Sequence, residues 1–240
     1  MLLKACLNGS REVGEHAALP ITPERLARDT EAVVTAGAGA IHVHPRRADG
    51  SQSLRAEDIA NALVAMRARC PGIPIGVSTG IWIEHDVALR LRRIQEWSVL
   101  PDFASVNFAE PGAVELCYAL AARGIGIEAG LATVADVRLL HASGLADQCL
   151  RTLIEPAESE IEAALANTTA MITALDEARI LRPRLLHGAD TAAWDVLKMA
   201  CSLGYDTRIG LEDTLTLSDG QRTQGNAELV TQATALCGIH

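Results

Sequence analysis

The sequence predicts an α/β fold built as a single-domain (β/α)8 TIM barrel over residues 1–240. Three observations carry this reading. Eight short apolar runs alternate with eight amphipathic stretches. Several of the short runs are continuously apolar, as parallel strands buried on both faces require. Polar residues stand where each apolar run ends, which is where barrel enzymes place their active sites. An open doubly wound sheet is the alternative, but the GxGxxG dinucleotide fingerprint is absent after the first strand. No low-complexity segment or linker-like shift in composition divides the chain.

Taken in order, strands are expected at Leu2–Leu7, Ala40–His44, Pro74–Thr79, Phe103–Phe108, Gly124–Leu131, Gln148–Glu155, Arg184–His187 and Thr207–Glu212. The first helix is expected between Thr22 and Gly37. Thr22-Pro23-Glu24 reads as an N-cap, a proline at the first helical position and an early carboxylate, and Gly37 as a stop. Leu54–Arg69 puts Ile59, Leu63 and Met66 on one stripe. Glu84–Trp97, Gly112–Arg123 and Val134–Ala142 carry weaker helical patterns. Ser159–Ala178 aligns Ile161, Leu165, Ile172 and Leu175, and Asp190–Leu203 aligns Trp194, Leu197 and Cys201. Asn226–Cys237 completes the set.

Composition narrows the function classes. The net charge of −9 argues against nucleic acid as a partner, because phosphate binding wants a basic surface. No run is long enough to span a bilayer, and the N-terminus has no adequate apolar signal region, so a cytoplasmic protein with no membrane partner is expected. Cys6, Cys70, Cys117, Cys149, Cys201 and Cys237 are scattered and form no CxxC pair. They read as six reduced thiols.

The most informative motif is His42-Val43-His44. Side chains alternate along a strand, so the two imidazoles share a face and can chelate one divalent metal. Two neutral histidines and one carboxylate leave a coordination position free for substrate. Glu212 is the best candidate for the third ligand, with a helix N-terminal carboxylate as its plain alternative. It ends the last strand, which in a closed barrel lies beside the first and one strand from the second. Arg208 precedes Glu212 by four residues, so the two share a face, and Arg208 reads either as an anion clamp or proton-relay partner or as a structural ion pair. Asp213 reads as a general base or an outer-shell group, with a helix N-cap as its plain alternative. Glu128 carries the same ambiguity as Arg208, and Glu155 is a weaker candidate. Ser78-Thr79-Gly80 and Asn8-Gly9-Ser10-Arg11 are loops able to hold an anion on the same rim.

Asn8-Gly9-Ser10-Arg11, Leu19-Pro20-Ile21-Thr22-Pro23-Glu24, Ala38 to Arg46 (AGAIHVHPR), Ser78-Thr79-Gly80, Ser105-Val106-Asn107-Phe108 and Arg208 to Asp213 (RIGLED) resemble the β-keto acid cleavage enzymes. That family includes 3-keto-5-aminohexanoate cleavage enzyme. The resemblance implies a zinc-dependent barrel that converts a β-keto acid and acetyl-CoA to acetoacetate and a new acyl-CoA. It implies one Zn2+ per chain on His42, His44 and Glu212, with acetyl-CoA as co-substrate. It implies substrate contacts from Ser78, Thr79, Gly80 and Ser105, to which Asn107 and Arg11 are added on the same rim. It implies Asp213 and Arg208 as a catalytic pair with Glu128 in their network, and a homo-oligomeric assembly. An Arg11 on the rim suits a keto acid with an anionic or neutral side chain. The residues alone leave a metal-dependent hydrolase or aldolase, and a non-catalytic metabolite-binding barrel, as rival readings.

Overall fold

Strands that are apolar on both sides must be covered on both sides, and a closed ring of βα units does this. The computed structural model describes residues 1–239 and has that architecture. Eight parallel strands close in sequential order: β1 (Leu3–Cys6), β2 (Ala40–Val43), β3 (Ile75–Ser78), β4 (Phe103–Asn107), β5 (Gly126–Leu131), β6 (Arg151–Ile154), β7 (Arg184–Leu186) and β8 (Asp206–Ile209). β1 pairs with both β2 and β8, with Ala5 opposite Ile41 on one side and Ile209 on the other. The helices between them are α1 (Pro23–Thr35), α2 (Ala56–Arg69), α3 (Val87–Glu96), α4 (Ala113–Ala121), α5 (Val134–Ser143), α6 (Ile161–Glu177), α7 (Ala193–Leu203) and α8 (Asn226–Cys237).

Local chemistry sets the helix starts. The Thr22 hydroxyl accepts from the Arg25 amide with Pro23 in the first turn, as the sequence predicts. Thr133 and Asp136 form a reciprocal capping box at the start of α5. The stretch expected as one helix from Asp190 begins as a 3-10 turn, Asp190–Ala192, before α7.

Alternation along the strands separates two layers. Ile41, Val43, Val77, Val106 and Ile209 join helix residues such as Val33, Ile59 and Leu63 in one apolar cluster. Their neighbours His42, Ser78, Ser105 and Arg208 have the opposite parity and are turned into the barrel.

Two expectations are corrected. Strand eight was expected to run to Glu212, but β8 ends at Ile209 and Glu212 lies in the turn beyond it. The cause is Gly210, which packs against the Cys6 carbonyl so closely that a Cβ there would collide with it. The Glu212 amide then bonds to that same carbonyl at 3.3 Å, and the Asp213 amide to Gly210 O at 2.9 Å. Gly210→Ala is therefore expected to cost about 1–3 kcal/mol in a denaturant melt, because the clash is with backbone that cannot swing aside. The second correction concerns the thiols. Cys201 on α7 and Cys237 on α8 are joined as a disulfide, and Cys6, Cys70, Cys117 and Cys149 are free. The two cysteines are 36 residues apart, and the packing of the consecutive helices α7 and α8 brings them together.

Candidate metal centre and active site

The C-terminal ends of the strands open into a cavity of about 410 Å3. His42 on β2 and His44 just beyond it reach its floor, both buried. Asn8 fixes their strand end: its amide donates to His44 O at 3.0 Å, and its carbonyl accepts from the His44 amide at 2.9 Å. Glu212 arrives from the turn after β8, across β1. The three donor atoms lie close together: His42 Nε2 to His44 Nε2 is 3.2 Å, and Glu212 Oε2 is 3.9 and 3.7 Å from the two nitrogens.

This set fits a divalent ion. A tetrahedral ion with bonds of about 2.0–2.2 Å separates neighbouring ligand atoms by about 3.3 Å. Glu212 Oε2 is buried and has no hydrogen-bond partner among the described residues. A buried carboxylate oxygen without a partner needs a cation or a donor. Burial pushes both imidazoles below the ordinary histidine value, which leaves them neutral with lone pairs free.

Arg208 joins the two carboxylates. Its guanidinium donates to Asp213 Oδ1 from Nε at 3.0 Å and Nη2 at 2.7 Å, and to Glu212 Oε1 at 2.8 Å. Burial by itself raises the proton affinity of both acids. At Glu212 the charge on Arg208 outweighs burial and holds the carboxyl well below its ordinary value. At Asp213 burial prevails over Arg208 and His187, and the neighbouring Glu212 charge adds to it, so the carboxyl is raised. The adjacent acids are thus split into an anionic ligand and a more basic carboxylate, whose Oδ2 has no partner among the described residues.

The remaining wall comes from the ends of β3 and β4 and from the loops beyond the other strands. Ser78, Ser105 and Asn107 line the cavity as the sequence predicts, together with Ser10, Glu110, Glu155 and His187. His187 Nε2 lies 2.9 Å from Glu155 Oε2, and its Nδ1 lies 3.6 Å from Asp213 Oδ1.

Four expected site residues stand elsewhere. Thr79 donates its hydroxyl to Ser105 O at 2.7 Å and ties β3 to β4 outside the cavity lining. Gly80 lies under the Trp82 ring, where a side chain would collide. Arg11 is taken up by Glu15 at 2.9 Å, Asp190 at 2.5 Å and Leu211 O at 3.0 Å, and does not line the cavity. Its neighbour Ser10 does, so the basis for favouring an anionic or neutral substrate side chain is removed.

Glu128 is fully buried and bonds to Lys4 Nζ at 2.6 Å, with Arg151 Nε at 3.3 Å. Lys4 on β1 and Glu128 on β5 stand half a ring apart, so their contact crosses the barrel interior. This is the structural ion pair that the sequence left open. Lys4→Met is expected to destabilise the protein by about 3–5 kcal/mol, because it leaves Glu128 incompletely compensated. Lys4→Met/Glu128→Leu should recover most of that loss. Urea midpoints at constant slope check both.

Sequence reasoning missed Gln52 and Trp82, which contact each other and His44. Gln52 had no signal, lying in a polar loop. Trp82 had one: an indole two residues after Ser-Thr-Gly is costly to expose unless it covers something.

The profile of the beta-keto acid cleavage enzyme family (BKACE) matches residues 1–239. A curated 3-keto-5-aminohexanoate cleavage enzyme of Fusobacterium nucleatum subsp. nucleatum is 32% identical over 108 residues, covering 45% of this chain and 39% of that protein. The match therefore spans well under half the length of that relative. A 3-oxoadipate:acetyl-CoA acetyltransferase of Cupriavidus necator is 29% identical over 252 aligned positions, covering 93% of this chain and 83% of that protein. Among solved structures, ObcA in its binary complex with oxaloacetate superposes with a TM-score of 0.74 at 18% identity, over 91% of this chain and 63% of that one. This is a likeness of fold. With a family profile spanning all but the final residue, the chain belongs to the beta-keto acid cleavage enzyme family.

Proposed function

We propose that this protein is a zinc-dependent β-keto acid:acetyl-CoA acetyltransferase, which condenses a β-keto acid with acetyl-CoA and cleaves the adduct to acetoacetate and a new acyl-CoA. One observation carries the reading. A three-donor centre, His42, His44 and Glu212, shares a cavity with Asp213, whose Oδ2 is committed to no hydrogen bond among the described residues. The names of the two curated relatives, a cleavage enzyme and an acetyl-CoA acetyltransferase, support it.

His42, His44 and Glu212 would hold the ion. A divalent cation there supplies Lewis acidity toward the oxygens of the keto acid and lowers the cost of removing the proton between its two carbonyl groups. Asp213 accepts that proton at Oδ2, while two bonds from Arg208 to Oδ1 keep the carboxylate from turning away. Ser78, Ser105 and Asn107 offer hydroxyl and amide groups to the keto acid along the opposite wall. The deprotonated carbon forms a bond to the acetyl carbonyl carbon, and CoA leaves as thiolate. The thiolate then attacks the original ketone carbon and breaks its bond to the former carbanion. That carbon leaves carrying the acetyl group, recovers a proton from Asp213 and departs as acetoacetate, and the rest of the keto acid remains on CoA. Glu128 and Arg11 take no part in these steps.

The test is direct. Zinc-loaded protein given acetyl-CoA and a broad panel of β-keto acids should form acetoacetate and a new thioester in equal amounts. Neither product from any member of the panel would overturn the proposal. Turnover of a substrate without any thioester would move the site to hydrolase or aldolase chemistry.

No helix among the described residues is long and apolar enough to cross a membrane. We propose a homo-oligomer, following the family resemblance, and a cytoplasmic location, following the sequence reading.

A further inference from the structure

The segment after β2 turns back on itself. Arg46 and Gln52 form an antiparallel bridge, and the Arg47 amide bonds to Ser51 O at 2.9 Å. Gly50, with φ of +87°, makes the turn, a conformation that glycine adopts without strain. Arg46 is buried and donates to Gly50 O at 3.0 Å, Gly9 O at 2.8 Å and Arg11 O at 2.7 Å, which pins the hairpin to the loop after β1. Gln52 therefore sits on a fixed element.

Its amide oxygen has two neighbours. His44 Nδ1 lies 2.6 Å away and Trp82 Nε1 lies 3.2 Å away. An indole N–H can only donate, so the Gln52 atom facing it is the carbonyl oxygen and not the nitrogen. That assignment leaves His44 one role: Nδ1 carries the proton and donates it to Gln52. Nε2 is then unprotonated and faces His42 and Glu212. Trp82 also covers the ring, with its indole at 21° to the imidazole plane and the centroids 6.3 Å apart. The absence of a side chain on Gly80 makes room for it.

We infer that Gln52 and Trp82 are positioning residues of the metal centre: the indole N–H fixes the amide of Gln52, and the amide oxygen fixes the tautomer and orientation of His44. The inference rests on the metal reading of His42, His44 and Glu212. Ligand histidines are held in this way by the hydrogen bond on their other ring nitrogen, and losing that partner costs about 10–100-fold in metal affinity.

Two readouts, neither of them activity, test it: zinc affinity by chelator competition, and the tautomer of His44 by 15N-histidine NMR on the metal-free protein. Gln52→Leu should bind zinc about 10–100-fold more weakly than wild type and lose the Nδ1–H form of His44. Gln52→Glu keeps an acceptor and should keep both. Trp82→Phe keeps the ring but frees the amide to rotate, and should fall between wild type and Gln52→Leu. Zinc binding by Gln52→Leu within twofold of wild type overturns the assignment. So does weaker binding with the His44 tautomer unchanged. A wild-type protein that binds no zinc overturns the metal reading and this inference with it.

Discussion

Asp213→Asn is expected to lower kcat by about 100- to 10,000-fold while leaving bound zinc unchanged. The substitution is isosteric and keeps an oxygen for the two Arg208 donors, so the turn that carries Glu212 should hold its shape. What changes is the second position of the side chain. In the wild type it is a carboxylate oxygen without a partner among the described residues, free to accept a proton. In the variant it is an amide nitrogen that cannot. A loss confined to kcat, with KM for the keto acid nearly constant, identifies a group that acts in the chemical step. The wild type should also show an acid limb. Burial raises the Asp213 carboxyl above its ordinary value, and only its ionised form accepts a proton. Activity should therefore be full above the pKa of Asp213 and fall as pH drops through it. Residual activity in Asp213→Asn should lack this limb.

His42→Ala/His44→Ala is expected to take the protein from about one zinc per chain to none and to abolish acetoacetate formation. Two of the three donors disappear at once, and Glu212 alone cannot hold an ion against water. Both rings lie on the cavity floor, so small side chains there leave space rather than strain. The variant should stay folded by circular dichroism. Elemental analysis after zinc reconstitution and gel filtration provides the readout, with activity measured on the same samples. A variant that retains stoichiometric zinc would place the ion elsewhere.

The sequence carried most of the fold because each signal was local. Short apolar runs pointed to all eight strands, and the Thr22-Pro23-Glu24 cap placed α1 correctly. His42, His44 and Glu212 were legible because strand parity and ring closure are properties of the pattern. Arg208 was placed on the face of Glu212 by its spacing, and its pairing with Asp213 was implied by the family resemblance. Features that depend on how loops settle were not legible. Arg11 looked available on the rim, but Glu15 and Asp190 claim it from positions 4 and 179 residues away. Glu128 looked like a polar residue on an active-site strand until its partner across the barrel was known. The end of β8 was misplaced because a glycine against a backbone carbonyl leaves no trace in hydropathy. Gln52 shows the same limit: its role comes from a hairpin that returns it to His44, and no periodicity records that.

Isotope placement tests the central claim most directly. Acetyl-CoA labelled with 13C at both acetyl carbons is incubated with zinc-loaded protein and an unlabelled β-keto acid that is turned over. The product acetoacetate is read by 13C NMR. The proposed bond changes put both labels at carbons 3 and 4, with carbons 1 and 2 unlabelled and the new acyl-CoA unlabelled. Acetoacetate free of label, or label released as acetate, would mean that the acetyl group never joins the keto acid, and would contradict the account.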